Sequence, residues 1–247
     1  MLLPGLLGGS PLLKCHLRPP RPGKRVMDLS FSVLLCFILA PLAVGLAGAV
    51  LLRDGKPVFF VSERIGRKGK PFRLWKFRTM APDPSGLTVS GAHVEMRITP
   101  LGRWMRRFRM DEIPQLWNIL RGDMSFVGPR PPLRRYTETF PELYTAVLTQ
   151  KPGVTGLATL AFQAHEAWIM AQCGSHEEAD DVYRRRCVAR KARLDIVYNR
   201  NQSISMDFLV VFQTIGEIFL RRVTACGAPM RRSISAIWSG VSTVSMA

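Results

Sequence analysis

The chain has 247 residues, a formal charge of +17, a pI near 10.7 and a hydrophobic fraction of 47%. That length admits one sizeable domain or a domain with appendages, and so apolar a composition excludes a disordered polycation. The charge calls for a polyanionic partner, and apolar residues gathered into long runs favour anionic lipid or phosphorylated substrates over nucleic acid.

Residues 1–23 are rich in Pro, Gly and Arg but lack an apolar core followed by a small-residue cleavage site, so they are expected to be a flexible leader and not a signal peptide. No charge then occurs between Asp28 and Arg53, a stretch longer than the roughly 20 residues a membrane helix needs. Pro41 lies near its centre and removes a backbone hydrogen bond where hydrocarbon offers no substitute. Lys24 and Arg25 precede it, and Arg53 and Lys56 follow, so both ends favour the cytoplasmic side. Two readings stay open: a kinked span, or a helix-break-helix hairpin that enters one leaflet and returns.

The stretch "PVFFVSERIGRKGKPFRLWKFRTM" predicts strands with a turn at Arg67 to Lys70. Phe72, Leu74, Lys76 and Arg78 share one strand face, and two cations at that spacing can hold a diphosphate or can simply be solvated. In "TPLGRWMRRFRM", Thr99 is the expected N-cap and Pro100 the first helical residue. Leu101, Trp104, Met105 and Phe108 form an apolar face opposed by arginines, which suits a helix lying in the headgroup plane or a helix packed on a core.

The acids Asp111 and Glu112 follow, amid Arg106, Arg107 and Arg109. Adjacent helical residues diverge, so the two need separate roles. Pro114 belongs in a first helical turn and Gly122 ends the run, which puts Asp111 at or near a helix N-terminus, where an anion or phosphate is favoured. A carboxylate among arginines is expected to stay ionised, as a nucleophile requires, and its neighbour could hold Mg²⁺; a plain N-cap with a first-turn acid is the alternative. Beyond them, Ser175 and Glu178 make a capping box, Asp180–Arg184 and Asp181–Arg185 are i,i+4 pairs, and "SMDFLVVFQTIGEIFLRRV" is an apolar helix too short to span. The cysteines at 15, 36, 173, 187 and 226 form no Cys-x-x-Cys pair, which reads as a reduced compartment without structural zinc.

The blocks "KRVMDLSF", "PVFFVSERIGRKGKPFRLWKFRTM", "RITPLGRWMRRFRMDEIPQLWNILRGDMSFVGPRPP", "KPGVTGLATL" and "LDIVYNRNQSISMDFLVVFQTI" occur in that order over residues 24 to 225. In this the chain resembles the bacterial sugar transferases, or monotopic phosphoglycosyl transferases, of the small single-domain type. The resemblance implies a helix-rich α/β (α+β) fold: a re-entrant membrane helix at 26–52, a small strand-containing catalytic domain and interfacial amphipathic helices. The leader 1–23 and a tail 226–247 fall outside it. The family breaks its membrane helix at Ser-Pro, and here the pair is Ala40-Pro41.

By this resemblance Asp111 is the nucleophile and Glu112 its metal-associated partner. Lys76, Arg78, Arg106 and Arg130, with Mg²⁺, would bind the diphosphate of a UDP-sugar. A sugar 1-phosphate would pass through an Asp111 adduct to polyprenyl phosphate, with release of UMP, at the cytoplasmic face of the bacterial inner membrane. The alternative function is an inactive basic module on membrane lipids; an aromatic-basic RNA motif is missing, so nucleic acid is not an expected partner.

Overall fold

A computed structural model describes residues 22–81 and 97–220. Residues 1–21 of the expected leader, the expected tail, Cys15, Cys226 and the arginines at 221 and 222 lie outside the described residues, while Pro22 and Gly23 already belong to the first helix.

The apolar segment is one helix, α1 (Pro22–Arg53), with Pro41 inside it. The expected break at Pro41 is therefore absent from the secondary structure. One missing N–H removes one hydrogen bond, and packing of both halves against the same domain offsets that loss. Leu35, Cys36 and Leu39 pack with Leu74 and Leu116, while Leu46 and Val50 pack with Phe77 and Met105. The other side of α1 is exposed along Val33, Leu34, Phe37, Ile38, Val44 and Leu52. Polar groups fasten each end. Arg25 donates to the carbonyls of Ile119 and Leu120, Asp28 accepts from Ser125 Oγ, and Asp54 Oδ2 accepts from Thr99 Oγ1 at 2.9 Å.

The strand prediction holds. β1 (Phe59–Ile65) and β2 (Pro71–Phe77) form an antiparallel hairpin closed by a tight turn at Arg67–Gly69. Helix α2 (Pro100–Arg107) starts as expected, with the Thr99 side chain accepting from Gly102 N at 2.9 Å and Pro100 in the first turn. Its apolar face is divided between the two readings: Leu101 and Met105 enter the core, whereas Trp104 is half exposed. Helix α3 (Gln115–Arg121) ends at Gly122, whose φ of 91° is the left-handed cap that glycine adopts freely.

β3 (Ser125–Val127) and β4 (Gly153–Thr155) make a short parallel pair, with α4 (Arg134–Thr139) and α5 (Pro141–Val147) between them in sequence. Then come α6 (Leu157–Met170), α7 (His176–Val182), a π-helical turn at Tyr183–Val188, α8 (Ala189–Asn201) and α9 (Ile204–Leu220). Ser175 caps α7, and the Asp180–Arg184 and Asp181–Arg185 pairs form at 3.3 and 3.0 Å. Val210 of α9 is buried against Val127 and Tyr198, while Phe208, Phe212 and Ile215 stay exposed. Phe208 meets Phe31 of α1 edge-on at 5.8 Å, so the exposed apolar sides of α1 and α9 adjoin.

Candidate active site

The acidic pair lies in a turn of its own. Met110–Glu112 is a single 3₁₀ turn immediately before α3, which places Asp111 near that helix's N-terminus as expected, with Pro114, lacking an N–H, as the cap residue. The turn begins with Arg109 at φ 55°, a left-handed conformation uncommon in non-glycine residues. That backbone lets the Arg109 guanidinium fold back on Glu112, with Nε at 3.1 Å and Nη2 at 2.9 Å from Oε2. Lys76 Nζ supplies the other side, at 2.9 Å from Glu112 Oε1 and 3.7 Å from Asp111 Oδ2.

The turn is anchored from two directions. Asn118, buried in α3, accepts from Trp75 N at 3.1 Å and donates to Arg73 O at 2.7 Å, which fixes β2, and so Lys76, to the helix following the dyad. Arg109 Nη2 also donates to Val154 O on β4 at 3.3 Å.

Asp111 is buried and Glu112 largely so, yet their charges fare differently. Burial alone would raise Glu112, but Lys76, Arg109 and Arg130 more than offset it and bring its pKa down to about 2. Asp111, 7% exposed, goes the other way. Burial, aided by the Glu112 charge, raises it against the pull of Lys76, Arg106 and Arg109. The arginines thus do not hold Asp111 at an ordinary carboxylate value. Glu112 has taken the charge-assisted hydrogen bonds, and among the described residues none is donated to the Asp111 carboxylate. A carboxylate so poorly solvated retains its electron density for attack.

The other expected residues divide. Arg106 stays near Asp111, held by a 2.8 Å hydrogen bond from Nε to Thr79 Oγ1. Arg130 is exposed, and its charge acts on Glu112. Arg78 departs from the expectation. It is buried, and its Nη1 and Nη2 donate to the carbonyls of Asp54, Gly55 and Lys56 and so secure the end of α1, while Nε has no partner among the described residues. The strand ends at Phe77, and beyond it the alternation that pairs residues 76 and 78 on one face no longer applies.

Sequence reading missed two contributions. Arg109 is one, although its place three residues before Glu112 is a usable signal. The other is a set of glycines in "VGPRPP" and "KPGVTG". A Cβ on Gly153 would stand 2.1 Å from Gly128 N, and one on Gly156 would stand 2.1 Å from Gly128 O. The two loops cross backbone to backbone, which positions Arg130 beside β4.

Among the described residues no group of three or more His, Cys, Asp or Glu could enclose a metal ion. Two adjacent carboxylates do suit a Mg²⁺ that brings phosphate oxygens and water as its remaining ligands. Each Glu112 oxygen already accepts from a cation, so the Asp111 oxygens are the less committed ones.

Next to the dyad lies an apolar groove of about 490 Å³. Ala40, Ala43 and Ala47 of α1 form one wall, Trp75 and Trp117 another, and Ile113 and Pro114, the two residues after Glu112, reach into it. Cations therefore surround the acids, while hydrocarbon surface begins one residue away.

The bacterial sugar transferase family model matches residues 20–221. The chain is 39% identical over 207 residues to undecaprenyl-phosphate glucose phosphotransferase of Komagataeibacter xylinus, covering 80% of this chain and 36% of that protein. It is 30% identical over 203 residues to UDP-glucose:undecaprenyl-phosphate glucose-1-phosphate transferase of Klebsiella pneumoniae, covering 81% and 40%. With the uncharacterized sugar transferase EpsL of Bacillus subtilis it shares 33% identity over 199 residues, covering 80% and 87%. The aligned region thus amounts to about two fifths of the first two relatives and most of the third. With the family's pattern matched from the start of α1 to the end of α9, the chain belongs to the bacterial sugar transferase family.

Proposed function

We propose that the chain transfers a sugar 1-phosphate from a UDP-sugar to a polyprenyl phosphate such as undecaprenyl phosphate, releasing UMP, as the first step in building a polysaccharide. One observation carries this reading. A buried carboxylate pair ringed by cations opens, through Ile113 and Pro114, onto an apolar groove walled by the long apolar helix. A phosphoryl transfer between soluble substrates has no use for that groove, whereas a lipid-linked acceptor must lay its hydrocarbon beside the reacting phosphate.

In this mechanism Lys76, Arg106 and Arg130 receive the donor diphosphate and offset its charge, which would otherwise repel an anionic nucleophile. An Asp111 oxygen attacks the β-phosphorus. The bond from that phosphorus to the UMP oxygen breaks, and the sugar phosphate is held as an acyl phosphate. A phosphate oxygen of the lipid acceptor then attacks the same phosphorus and frees Asp111. Glu112, ionised and held from both sides, keeps Lys76 and Arg109 in place and adds no proton to the site. A Mg²⁺ bound by the dyad and the donor phosphates would supply further charge neutralisation.

The helix α1 is read as monotopic, resting in the cytoplasmic leaflet of the inner membrane. Its length would permit a crossing. Yet Lys24, Arg25 and Asp28 at one end and Asp54 beyond the other all bond to the same domain, which supports entry and exit on one side. An inactive basic module is the second reading, but it gives no role to an under-compensated buried Asp111.

The test is to give the purified, lipid-embedded protein UDP-sugars and Mg²⁺ without acceptor and to examine peptides by mass spectrometry at mildly acidic pH. A sugar-phosphate adduct on the peptide holding Asp111, absent in Asp111→Asn, is expected. Turnover of Asp111→Asn at near wild-type rate would end the assignment.

A further inference from the structure

Apart from the dyad, a second pocket of about 70 Å³ is bounded by Arg64 of β1, Arg130 of the "GPRPP" loop and Asp195 of α8, with rings of Tyr136, Tyr144 and Tyr183 as walls. We infer that it receives a hydroxylated sugar ring of the nucleotide-sugar donor, the arginines meeting its phosphate end and Asp195 accepting hydrogen bonds from its hydroxyls. This rests on the donor class proposed above.

The polar groups of this pocket are left unsettled by the protein itself. Arg64 is mostly buried and, among the described residues, meets no carboxylate within ion-pairing distance. Its hydrogen bonds are long, 3.4 Å to Ser62 Oγ and 3.5 Å to Pro131 O, and Arg130, of like charge, lines the same pocket. Asp195 is buried with Oδ1 unpartnered. An arginine and an aspartate in one pocket would ordinarily neutralise each other, and buried polar groups seldom stay unsatisfied without a use. Here they do not pair, and Lys191, the lining cation whose charge acts on Asp195, is itself held by Glu166 at 2.8 Å, which leaves Asp195 Oδ1 an acceptor without a donor.

The ligand chemistry follows from that set. The lining cations Arg64, Arg130 and Lys191 select a phosphate, the buried Asp195 selects O–H donors, and aromatic walls suit the C–H faces of a ring. Arg130 connects the pocket to the proposed reaction, since it lines the pocket and is one of the residues assigned above to the donor diphosphate. A ring one phosphate away from the reacting phosphorus therefore lies within the same ligand. Both the ribose of the nucleotide and the transferred hexose have this chemistry.

Equilibrium binding of UMP, 2′,3′-dideoxy-UMP and glucose 1-phosphate to the lipid-embedded full chain, beside donor KM and kcat, separates the two. Asp195→Asn and Arg64→Lys are expected to weaken one of these probes about 10- to 100-fold. Ribose in the pocket predicts that Asp195→Asn erases the preference for UMP over its dideoxy analogue. Hexose predicts that UMP is unaffected while glucose 1-phosphate binding falls and the ranking of UDP-sugars changes. Variants that melt no lower than wild type and leave every probe and donor KM within twofold would overturn the inference. A wild type that binds these probes as predicted but turns over no UDP-sugar would instead overturn the proposed reaction.

Discussion

Lys24 and Asp207 form an ion pair at 2.6 Å across 183 residues of sequence, joining the start of α1 to α9. The same Lys24 Nζ donates to Val127 O at 2.9 Å and Tyr198 Oη at 2.8 Å, and Asp207 is almost wholly buried. Removing the cation leaves a buried carboxylate whose remaining partner is the neutral Tyr198 hydroxyl. Lys24→Met is expected to destabilise by about 3–5 kcal/mol, seen as a lower melting temperature in detergent, and the double variant with Asp207→Asn should recover much of the loss.

With both ends of α1 bonded to one domain, single cysteines placed at residues 23 and 56 are expected to share one side of the membrane. In intact cells, neither should react with an impermeant thiol reagent from outside. Labelling of only one of them would show that the helix crosses.

The dyad predicts two opposite shifts in the acid limb of kcat/KM. In the proposed mechanism Asp111 attacks only when ionised, and burial raises its pKa, so the limb should lie above the ordinary aspartate value near 3.8. Lys76 is the strongest influence lowering that pKa, so Lys76→Met should move the limb to higher pH. Glu112 contributes a like charge, so Glu112→Gln should move it to lower pH, even as turnover falls. A pH–rate series on three proteins checks both signs.

Gly102 lets α2 lie directly on the chain at Thr79: a Cβ there would stand 2.2 Å from Thr79 O. Because Arg106 is bonded to Thr79, displacing α2 also moves Arg106 from Asp111. Gly102→Ala is expected to cost about 1–3 kcal/mol and to lower kcat/KM, whereas Gly23→Ala, which meets nothing within 4 Å, should do neither.

Burial pushes Asp195 up to about 7. A folded value above the unfolded one means the protonated form is favoured on folding, so stability is complete below about pH 4 and declines as pH rises through 7. Asp195→Asn carries no such charge. It should therefore be more stable than wild type at pH 8.5, by an amount on the order of 4 kcal/mol, with the gap narrowing at pH 5 and closing below about pH 4 in paired thermal melts without ligand.

Local chemistry made much of this legible in the sequence. Thr99 with Pro100, Ser175 with Glu178 and Gly122 act through their own backbone neighbours, so caps and ends follow from spacing. The hairpin of Phe59 to Phe77 follows from alternation and its turn. Asp111 and Glu112 stood out because acids amid arginines have few structural uses.

What the fold alone decided concerns groups distant in sequence. Arg78 resembles Lys76 on paper, yet only the chain path shows its guanidinium among the carbonyls of residues 54–56. Pro41 is a helix breaker by local rules, but packing along both halves of α1 outweighs one lost hydrogen bond. The opposite pKa shifts of two adjacent acids depend on which of them Lys76 and Arg109 reach in space. Charge compensation and burial are three-dimensional quantities, and a sequence fixes the groups without fixing their distances.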